Sequence, residues 1–384
     1  MKKIRTCCLI FAFAAIMLMP PILQRWASRF ALSGVSETAE FPVPTVKGIL
    51  DGSLQESVNS YYAEHLPGRD LMIKLRNQAI FSLFAKSPNE NIVIGKDNVL
   101  FEKEYVLKYK KVYPPASREF VEDLCTKLTA IQEQLAERGK EMYIFITPTK
   151  VRYYEEYVPD RYTLAQYFVD DPGNYEIFTE VLKDYPLTVY DSIAYIDQQL
   201  QNQAFPSAYP LYYKTGSHWS WMLSLDVTTD FIRFLNEHSR FTFPESEVEC
   251  HPVDAPLHPD ADIFNSLNLL IPPYDTYYQA DLLSQPRTDE GPNLFCRGGS
   301  FMGQTITPMI NNGYFHQDTY IENTIIAHDR YSQMENFSDY SELDLKHEFD
   351  QADIVIFEVN EAHVPVMSFS LIDYLTEHPE ILSE

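Results

Sequence analysis

Residues 117–146 read SREFVEDLCTKLTAIQEQLAERGKEMYIFI, and this stretch decides the fold class. Its apolar side chains first recur at helical spacing, and Gly139 then stands where a helix cap is expected. The apolar run 142–146 follows directly and predicts a short buried strand. The helical apolar positions are Phe120, Leu124, Leu128, Ile131 and Leu135. A helix that leads into a buried strand is the unit of an α/β sheet.

The same alternation of helix and strand recurs further along the chain. A helix over 175–182 precedes a strand at 187–190, and another strand is predicted at 353–359. Residues 294–297 predict a strand that turns at residues 298–300 into a helix. The simplest architecture is therefore one α/β domain with a parallel central sheet.

The flanking segments are predicted from local patterns. Helices are expected at 54–65 and 69–84, followed by a β-hairpin with strands at 92–94 and 99–101. Residues 241–289 are dense in Pro, Asp and Tyr, and we interpret them as an irregular insertion near the functional site.

Charge and length restrict the function. The 384 residues suffice for a large buried core, and the formal net charge is −25. This charge argues against nucleic-acid binding and against nonspecific docking on anionic lipid, because both select Lys- and Arg-rich surfaces.

The N-terminus predicts export. Lys2, Lys3 and Arg5 precede an uncharged run at 6–23, which is the layout of an export signal. We favour an uncleaved anchor over 1–25, with a cleaved signal as the alternative. A tether over 26–53 and a domain over 54–384 follow. The expected location is the cell membrane, with a single N-terminal pass and the domain on the extracytoplasmic side, either periplasmic or at the cell surface.

The exported part contains three cysteines, Cys125, Cys250 and Cys296. A disulfide between Cys250 and Cys296 is possible in an oxidising compartment. The His and Cys spacings match no zinc motif, and we predict neither a metal nor a cofactor.

Two turns carry the candidate chemistry. Residues 212–221, YYKTGSHWSW, present His218, and residues 296–303, CRGGSFMG, present Ser300 at a strand-to-helix turn. Such a turn exposes the serine Oγ and offers the backbone N–H groups of Gly299 and Ser300 to a developing oxyanion. The structural alternatives are Ser300 as a helix N-cap and His218 as a half-buried residue stacked on Trp219.

The acid of a catalytic triad is missing from the expected position. Gly216, two residues before His218, has no side chain. Asp191 and Asp226 are the candidates for orienting the imidazole, and Asp191 is our choice.

Several short motifs resemble one family in the same order along the chain. Residues 214–219, KTGSHW, match a family motif Lys-Thr-Asp-Thr-His-Trp at four of its positions. Further landmarks are LPGRD at 66–70, GKD at 95–97, PTK at 148–150 and DIVIFE at 353–358. Over about residues 54–361 the chain thus resembles the AlgX/AlgJ-like, SGNH-hydrolase-like proteins that O-acetylate exported polysaccharides such as alginate.

The resemblance implies a permuted SGNH-type α/β fold. It implies that Ser300 is the nucleophile and His218 its base, with Gly216 at the position of the family's triad Asp. It also implies a polysaccharide acceptor and a membrane-bound O-acyltransferase that supplies acetyl groups.

Our leading hypothesis is an O-acetyltransferase that uses a Ser–His acyl-enzyme mechanism. Lys150, Trp219 and Arg297 are the candidate substrate-binding residues. A catalytically weakened glycan-binding scaffold of an exopolysaccharide modification complex and a carbohydrate acetylesterase are the alternatives. A uronate substrate requires a local basic groove, formed by Lys150, Arg152 or Arg297, and the absence of such a groove points to a neutral glycan.

Overall fold

A computed structural model describes residues 10–11, 13–14, 30–34, 40–66, 68–168, 170–205, 209–271, 275–287 and 290–383. The chain divides into two compact units, one of Met1–Ile94 with Ile263–Pro273 and the other of Gly95–Asp262 with Tyr274–Glu384. Most of the predicted anchor lies outside the described residues. Within the ranges given, no helix has both the length and the apolar character needed to cross a membrane.

The first unit is mainly helical. Its elements are α1 (Val46–Asp51), α2 (Ser53–Glu64), α3 (Arg69–Phe84) and β1 (Ile92–Ile94). Helices α2 and α3 lie where the sequence predicts them, whereas α1 lies within the segment interpreted as a tether. The Asn77 side chain of α3 donates to the carbonyl of Leu267 at 2.9 Å, which ties residues 263–271 to this unit.

The second unit alternates helices and strands. Its helices are α4 (Lys103–Tyr109), α5 (Arg118–Glu137), α6 (Lys150–Tyr153), α7 (Asp160–Leu164), α8 (Asn174–Leu182), α9 (Ser192–Gln201), α10 (Trp221–His238), α12 (Ser300–Asn311), α13 (Leu345–Gln351) and α14 (Leu371–Glu377), and α11 (Asp262–Leu267) begins here at Asp262. Its strands are β2 (Leu100–Glu102), β3 (Glu141–Thr147), β4 (Val189–Asp191), β5 (Ser246–Val253), β6 (Tyr277–Ser284), β7 (Leu294–Gly298), β8 (Asp318–Glu322), β9 (Ile325–His328), β10 (Gln333–Asn336) and β11 (Ile354–Asn360).

The central sheet is mixed, which corrects the prediction of a parallel sheet. Its seven strands run in the order β10-β9-β8-β7-β11-β3-β4. The five strands from β8 to β4 are parallel, but β9 and β10 pair antiparallel at one edge. The short link between β8 and β9 has no room for a crossover helix, so these strands form a hairpin.

Both faces of the sheet are buried, and this explains the uninterrupted apolar runs of β3 and β11. On β3, Ile144 and Ile146 pack into the core on one face, while Tyr143 and Phe145 pack into the core on the other. Successive strand residues point to opposite faces, so a strand covered on both sides is apolar at every position.

The segment 241–289 is more regular than predicted. Strands β5 and β6 pair antiparallel over eight residues each, and α11 lies between them in sequence. The sequence interpretation as an irregular insertion is therefore wrong.

The proposed disulfide is also absent. Cys250 and Cys296 are both free thiols, the first half-buried and the second buried in β7.

Candidate functional site

Ser300 is the first residue of α12 and directly follows the end of β7. The turn between them requires glycine at Gly298, where a Cβ would lie 2.7 Å from the Cβ of Met302 and 3.1 Å from that of Glu358. This close approach lets the helix start immediately at the carboxyl edge of the sheet. In α/β sheets that edge is where ligands bind.

His218 lies in a closed loop before α10. Tyr212 and Trp219 form an isolated β-bridge across the base of the loop, and the backbone N–H of Ser220 donates to the carbonyl of Leu211 at 2.8 Å. Ser220 then caps α10 by accepting from Leu223 N–H. These bonds hold the imidazole in place.

The loop brings His218 to Ser300 although the two residues are 82 positions apart in sequence. His218 Nε2 lies 2.6 Å from Ser300 Oγ, and the imidazole packs on the Phe301 ring with centroids 4.9 Å apart. A serine hydroxyl at hydrogen-bond distance from an imidazole is the arrangement of an activated nucleophile.

Asp262 contacts the other ring nitrogen of His218. Its Oδ2 lies 2.8 Å from His218 Nδ1 and accepts from Ser217 Oγ at 2.7 Å, while its Oδ1 accepts from Ser217 N–H at 2.8 Å. Burial acts to raise the pKa of Asp262, but the hydrogen bonds from His218 and Ser217 outweigh it, so this pKa lies below its usual value. Asp262 is therefore a carboxylate that fixes the imidazole orientation.

The predicted acids lie elsewhere, which corrects the choice of Asp191. Asp191 caps α9 by accepting from the N–H groups of Ile193 and Ala194, and it also accepts from Tyr175 Oη. Asp226 accepts from Tyr195 Oη. Asp262, and not Asp191, is thus the acid that contacts His218.

Gly216 and Asp262 are connected through the backbone of Asp260. A Cβ at Gly216 would lie 2.6 Å from the carbonyl oxygen of Asp260. The Thr215 hydroxyl donates to the same oxygen at 2.8 Å. Because the chain that carries Asp262 passes so close, it requires glycine at residue 216.

The oxyanion donors differ from the prediction. Gly299 N–H donates to Glu358 Oε2 at 2.5 Å, so it does not point to a substrate. Burial raises the pKa of Glu358, and bonds from Gly299 N–H and the Thr147 hydroxyl partly offset this effect. Within the described part of the chain, Ser300 N–H makes no hydrogen bond. Of the two predicted donors, Ser300 N–H is the one that is available.

A cavity of about 180 Å³ opens beside the nucleophile. Its lining residues are Tyr105, Gly299, Ser300, Phe301, Asn323, Glu358, Val359, Asn360, His363, Val366, Met367, Ser368 and Phe369. Ser368 and Phe369 have φ of 52° and 53°, in the left-handed region that costs a non-glycine residue about 1 kcal/mol or more. The Tyr340 hydroxyl holds this segment by donating to the carbonyl of Phe369 at 3.0 Å.

Lys150 does not face a substrate, in contrast to the prediction. Its side chain is buried, and Nζ donates to carbonyl oxygens of Leu100, Tyr213, Lys214 and Gly216 at 2.7–3.3 Å. Burial lowers its pKa to about 7. Three of these carbonyls belong to the His218 loop, so Lys150 holds that loop from beneath.

Arg297 and Trp219 are internal as well. Arg297 donates to the carbonyls of Ile321 and Asn323 and to the Tyr340 hydroxyl, at 2.8–3.0 Å. Trp219 is fully buried and packs edge-on against Phe301. Neither side chain reaches the surface where a glycan would bind.

Comparisons with known proteins find partial similarities. A sequence model described as "SGNH hydrolase-like domain, acetyltransferase AlgX" matches residues 92–224. The probable alginate O-acetylase AlgJ of Pseudomonas aeruginosa is 25% identical over 211 residues, which cover 55% of this chain and 47% of that protein. Over these residues the chain is similar to AlgX and AlgJ. It spans about half the length of this curated relative.

Two solved structures are also similar to this AlgX/AlgJ-like chain. The O-acetyltransferase domain of Pseudomonas putida AlgJ has 18% identity and a TM-score of 0.46, covering 72% of this chain and 92% of that one. Bacillus cereus PatB1 has 12% identity and a TM-score of 0.45, covering 72% and 97% respectively.

Sequence reasoning missed Asp262 in this AlgX/AlgJ-like chain. The residue lies 44 positions after His218, in the segment interpreted as an insertion. The high Asp and Pro content of that segment was the available signal. Spacing alone does not distinguish Asp262 from the neighbouring Asp residues. In the part of the chain that is described, no cluster of three or more His, Cys, Asp or Glu residues is placed to hold a metal ion.

Lys150→Met is expected to lower the free energy of unfolding by about 3 kcal/mol, because buried carbonyl oxygens lose their donor. Urea unfolding measures the effect, with Lys183→Met as the matched exposed control. Equal stability of the two variants would contradict the role assigned to Lys150.

Asp260→Asn is expected to change how stability depends on pH. Asp260 is buried, its Oδ1 has no hydrogen-bond partner within the described chain, and burial raises its pKa to about 7 from a usual 3.8. The native protein then binds more protons than the unfolded chain between these values, so its stability falls as pH rises from 3.8 to about 7. The variant lacks this loss, so its stability relative to the native protein should rise by about 4 kcal/mol between the two ends of this pH range.

Urea titrations at pH 4 and pH 8 test this expectation, with Asp254→Asn as the exposed control. An unchanged difference between native protein and Asp260→Asn at the two pH values contradicts it.

Proposed function

We propose that this chain is an O-acetyltransferase that modifies an exported polysaccharide through an acetyl-Ser300 intermediate. The observation that carries the proposal is the contact series from Ser300 Oγ through His218 to the Asp262 carboxylate. Ser300 lies at a helix N-terminus and lines a cavity in which an acyl group can be bound.

The first half-reaction forms the acyl-enzyme. Ser300 Oγ attacks the acetyl carbonyl of the donor while its proton passes to His218 Nε2. Asp262 stabilises the resulting imidazolium through Nδ1. The leaving group then takes the proton from His218 and departs, which leaves acetyl-Ser300.

The second half-reaction transfers the acetyl group. His218 Nε2 takes the proton of a sugar hydroxyl, whose oxygen attacks the ester carbonyl. Collapse of the tetrahedral intermediate breaks the bond to Ser300 Oγ, and His218 returns the proton to the serine.

Ser300 N–H is the first oxyanion donor in this mechanism. Asn323 is the second, because it lines the cavity with Ser300 and its exposed side-chain amide makes no hydrogen bond within the described residues. Gly299 N–H stays engaged with Glu358.

Similarity supports the choice of acetyl transfer. The relative in Pseudomonas aeruginosa is named a probable alginate O-acetylase, and the matching family model is described as an acetyltransferase. The missing acid at Gly216 favoured the scaffold alternative, and the contact of Asp262 with His218 removes that reason.

Location and partners belong to the same proposal. Lys2, Lys3 and Arg5 before the uncharged run 6–23 support an anchor that holds the domain outside the cytoplasmic membrane. A membrane-bound O-acyltransferase would then supply acetyl groups from the cytoplasm.

The test follows the acetyl group on the full-length protein. A chromogenic acetyl ester is added, intact mass reports an acetyl adduct, and peptide mapping locates it. Polysaccharides are then added, and O-acetyl sugar and free acetate are quantified. Acetyl on Ser300 that moves to sugar supports the transferase, whereas release only as acetate supports the esterase. Glycan binding without any adduct supports the scaffold.

A further inference from the structure

Negative charge surrounds the candidate nucleophile. Tyr105 lines the cavity with Ser300, and its pKa is raised by burial and by the charges of four carboxyl groups. These groups are Glu102, Glu104, Asp262 and Glu358. Four carboxyl groups thus interact with a residue that lines the cavity, and one of them, Glu358, lines it itself.

Glu322 adds a carboxylate on the α12 side of the site. It ends β8, and its Oε2 would lie 3.6 Å from a Cβ at Gly303, one helical turn after Ser300. Burial raises the pKa of Glu322, and its interactions with His218 and Arg297 act in the opposite direction. Glu322 therefore interacts electrostatically with His218.

Glu102 is the last residue of β2 and interacts electrostatically with His218. Burial raises the pKa of Glu102, and the negative charge of Asp262 raises it further, while His218 and the Ser217 hydroxyl lower it. Glu102 and Glu322 therefore both interact with His218.

Lys150, Arg297 and Arg152 already have hydrogen-bond or ion-pair partners within the protein. Lys150 and Arg297 are buried and donate to backbone carbonyls. Arg152 pairs with Glu361 at 2.5 Å and with Glu176 at 3.3 Å. Among the residues that line the cavity, His363 is the one with a basic side chain, and burial lowers its pKa, which favours the neutral ring. Among the described residues that line the cavity beside Ser300 there is thus no Lys or Arg to bind a uronate carboxylate.

We infer that the acceptor is a glycan without carboxylates, built from neutral or amino sugars, and that Glu322 selects against uronates. This inference rests on the proposed acetyl transfer. A sugar carboxylate near Glu322 meets a like charge in a partly desolvated site, where repulsion is stronger than in water. A neutral sugar avoids this repulsion, and an ammonium group gains attraction.

The test separates the two half-reactions. Full-length acetyl-enzyme is prepared with the chromogenic ester and mixed with oligomers of equal length made of glucose, glucosamine or mannuronate. We expect kcat/KM for mannuronate to be at least about tenfold below that for glucose, with glucosamine equal to or above glucose. Faster transfer to mannuronate than to glucose overturns the inference but leaves the proposed function intact. Failure to form acetyl-Ser300 counts against the proposed function itself.

Two further measurements assign the selection to charge. In Glu322→Gln, the glucose-to-mannuronate ratio of kcat/KM should fall about threefold to tenfold, whereas Glu335→Gln, an exposed control on β10, should keep the native ratio. Raising the salt concentration on the native protein should lower the same ratio, because the Debye length shrinks from about 10 Å at 0.1 M to about 3 Å at 1 M. If the glucose-to-mannuronate ratio of kcat/KM changes neither with salt nor in Glu322→Gln, the acceptor is not selected by charge.

Discussion

Ser300→Ala is expected to abolish the acetyl adduct and to lower kcat by on the order of 10⁶-fold, the loss typical of removing a catalytic serine. The reason is that Ser300 Oγ, 2.6 Å from His218 Nε2, is the atom that carries the acetyl group in the proposed mechanism. Intact mass after reaction with the chromogenic ester, together with the rate of release, measures both effects.

Ser332→Ala is the control for this experiment, because Ser332 is an exposed serine in a turn. It should acquire the adduct and turn over at the native rate. An adduct that persists in Ser300→Ala would place the acetyl group on another residue and would rule out Ser300 as the nucleophile.

Asp262→Asn is expected to lower kcat by about 10⁴-fold while leaving the fold intact, because an amide at this position favours the wrong imidazole tautomer and no longer stabilises the imidazolium. The Asp262 carboxylate contacts His218 Nδ1 at 2.8 Å, and two bonds from Ser217 hold it in that place. Turnover of the chromogenic ester and single-turnover acylation report the loss.

Asp191→Asn is the matched control, since it makes the same chemical change at the acid that the sequence favoured. Asn caps helices about as well as Asp, so α9 should keep its N-cap and the protein its stability. Its kcat should stay within about threefold of the native value. A large loss in Asp191→Asn with little loss in Asp262→Asn would return the orienting role to Asp191.

The location of Asp262 explains how this chain keeps a triad geometry without the acid of the family motif. The motif acid would stand at residue 216, but the backbone carbonyl of Asp260 lies 2.6 Å from where its Cβ would be. The chain that displaces this side chain also carries Asp262 to the imidazole. The backbone conformation at residues 260–262 therefore explains both the glycine at residue 216 and the position of Asp262.

Sequence patterns predicted most of the regular elements because those patterns are local. The apolar spacing after Ser117 and the glycine at residue 139 anticipated α5, and the run 142–146 anticipated β3. The antiparallel edge of the sheet was missed, because strand direction depends on which strands meet rather than on composition. The hairpin of β5 and β6 was missed for a related reason, since its exposed positions and prolines hide the alternation.

Short motifs were enough to predict the α/β class, the candidate roles of Ser300 and His218 and the family resemblance, because each of these depends on one segment of the chain at a time. The acid that contacts His218, the burial of Lys150 and Arg297, and the position of Glu358 beside Ser300 became known from the tertiary structure. These properties arise from contacts between segments far apart in the chain. Burial then shifts the pKa values of the ionisable side chains involved. The local spacing of residues in the sequence predicts neither the contacts nor the burial.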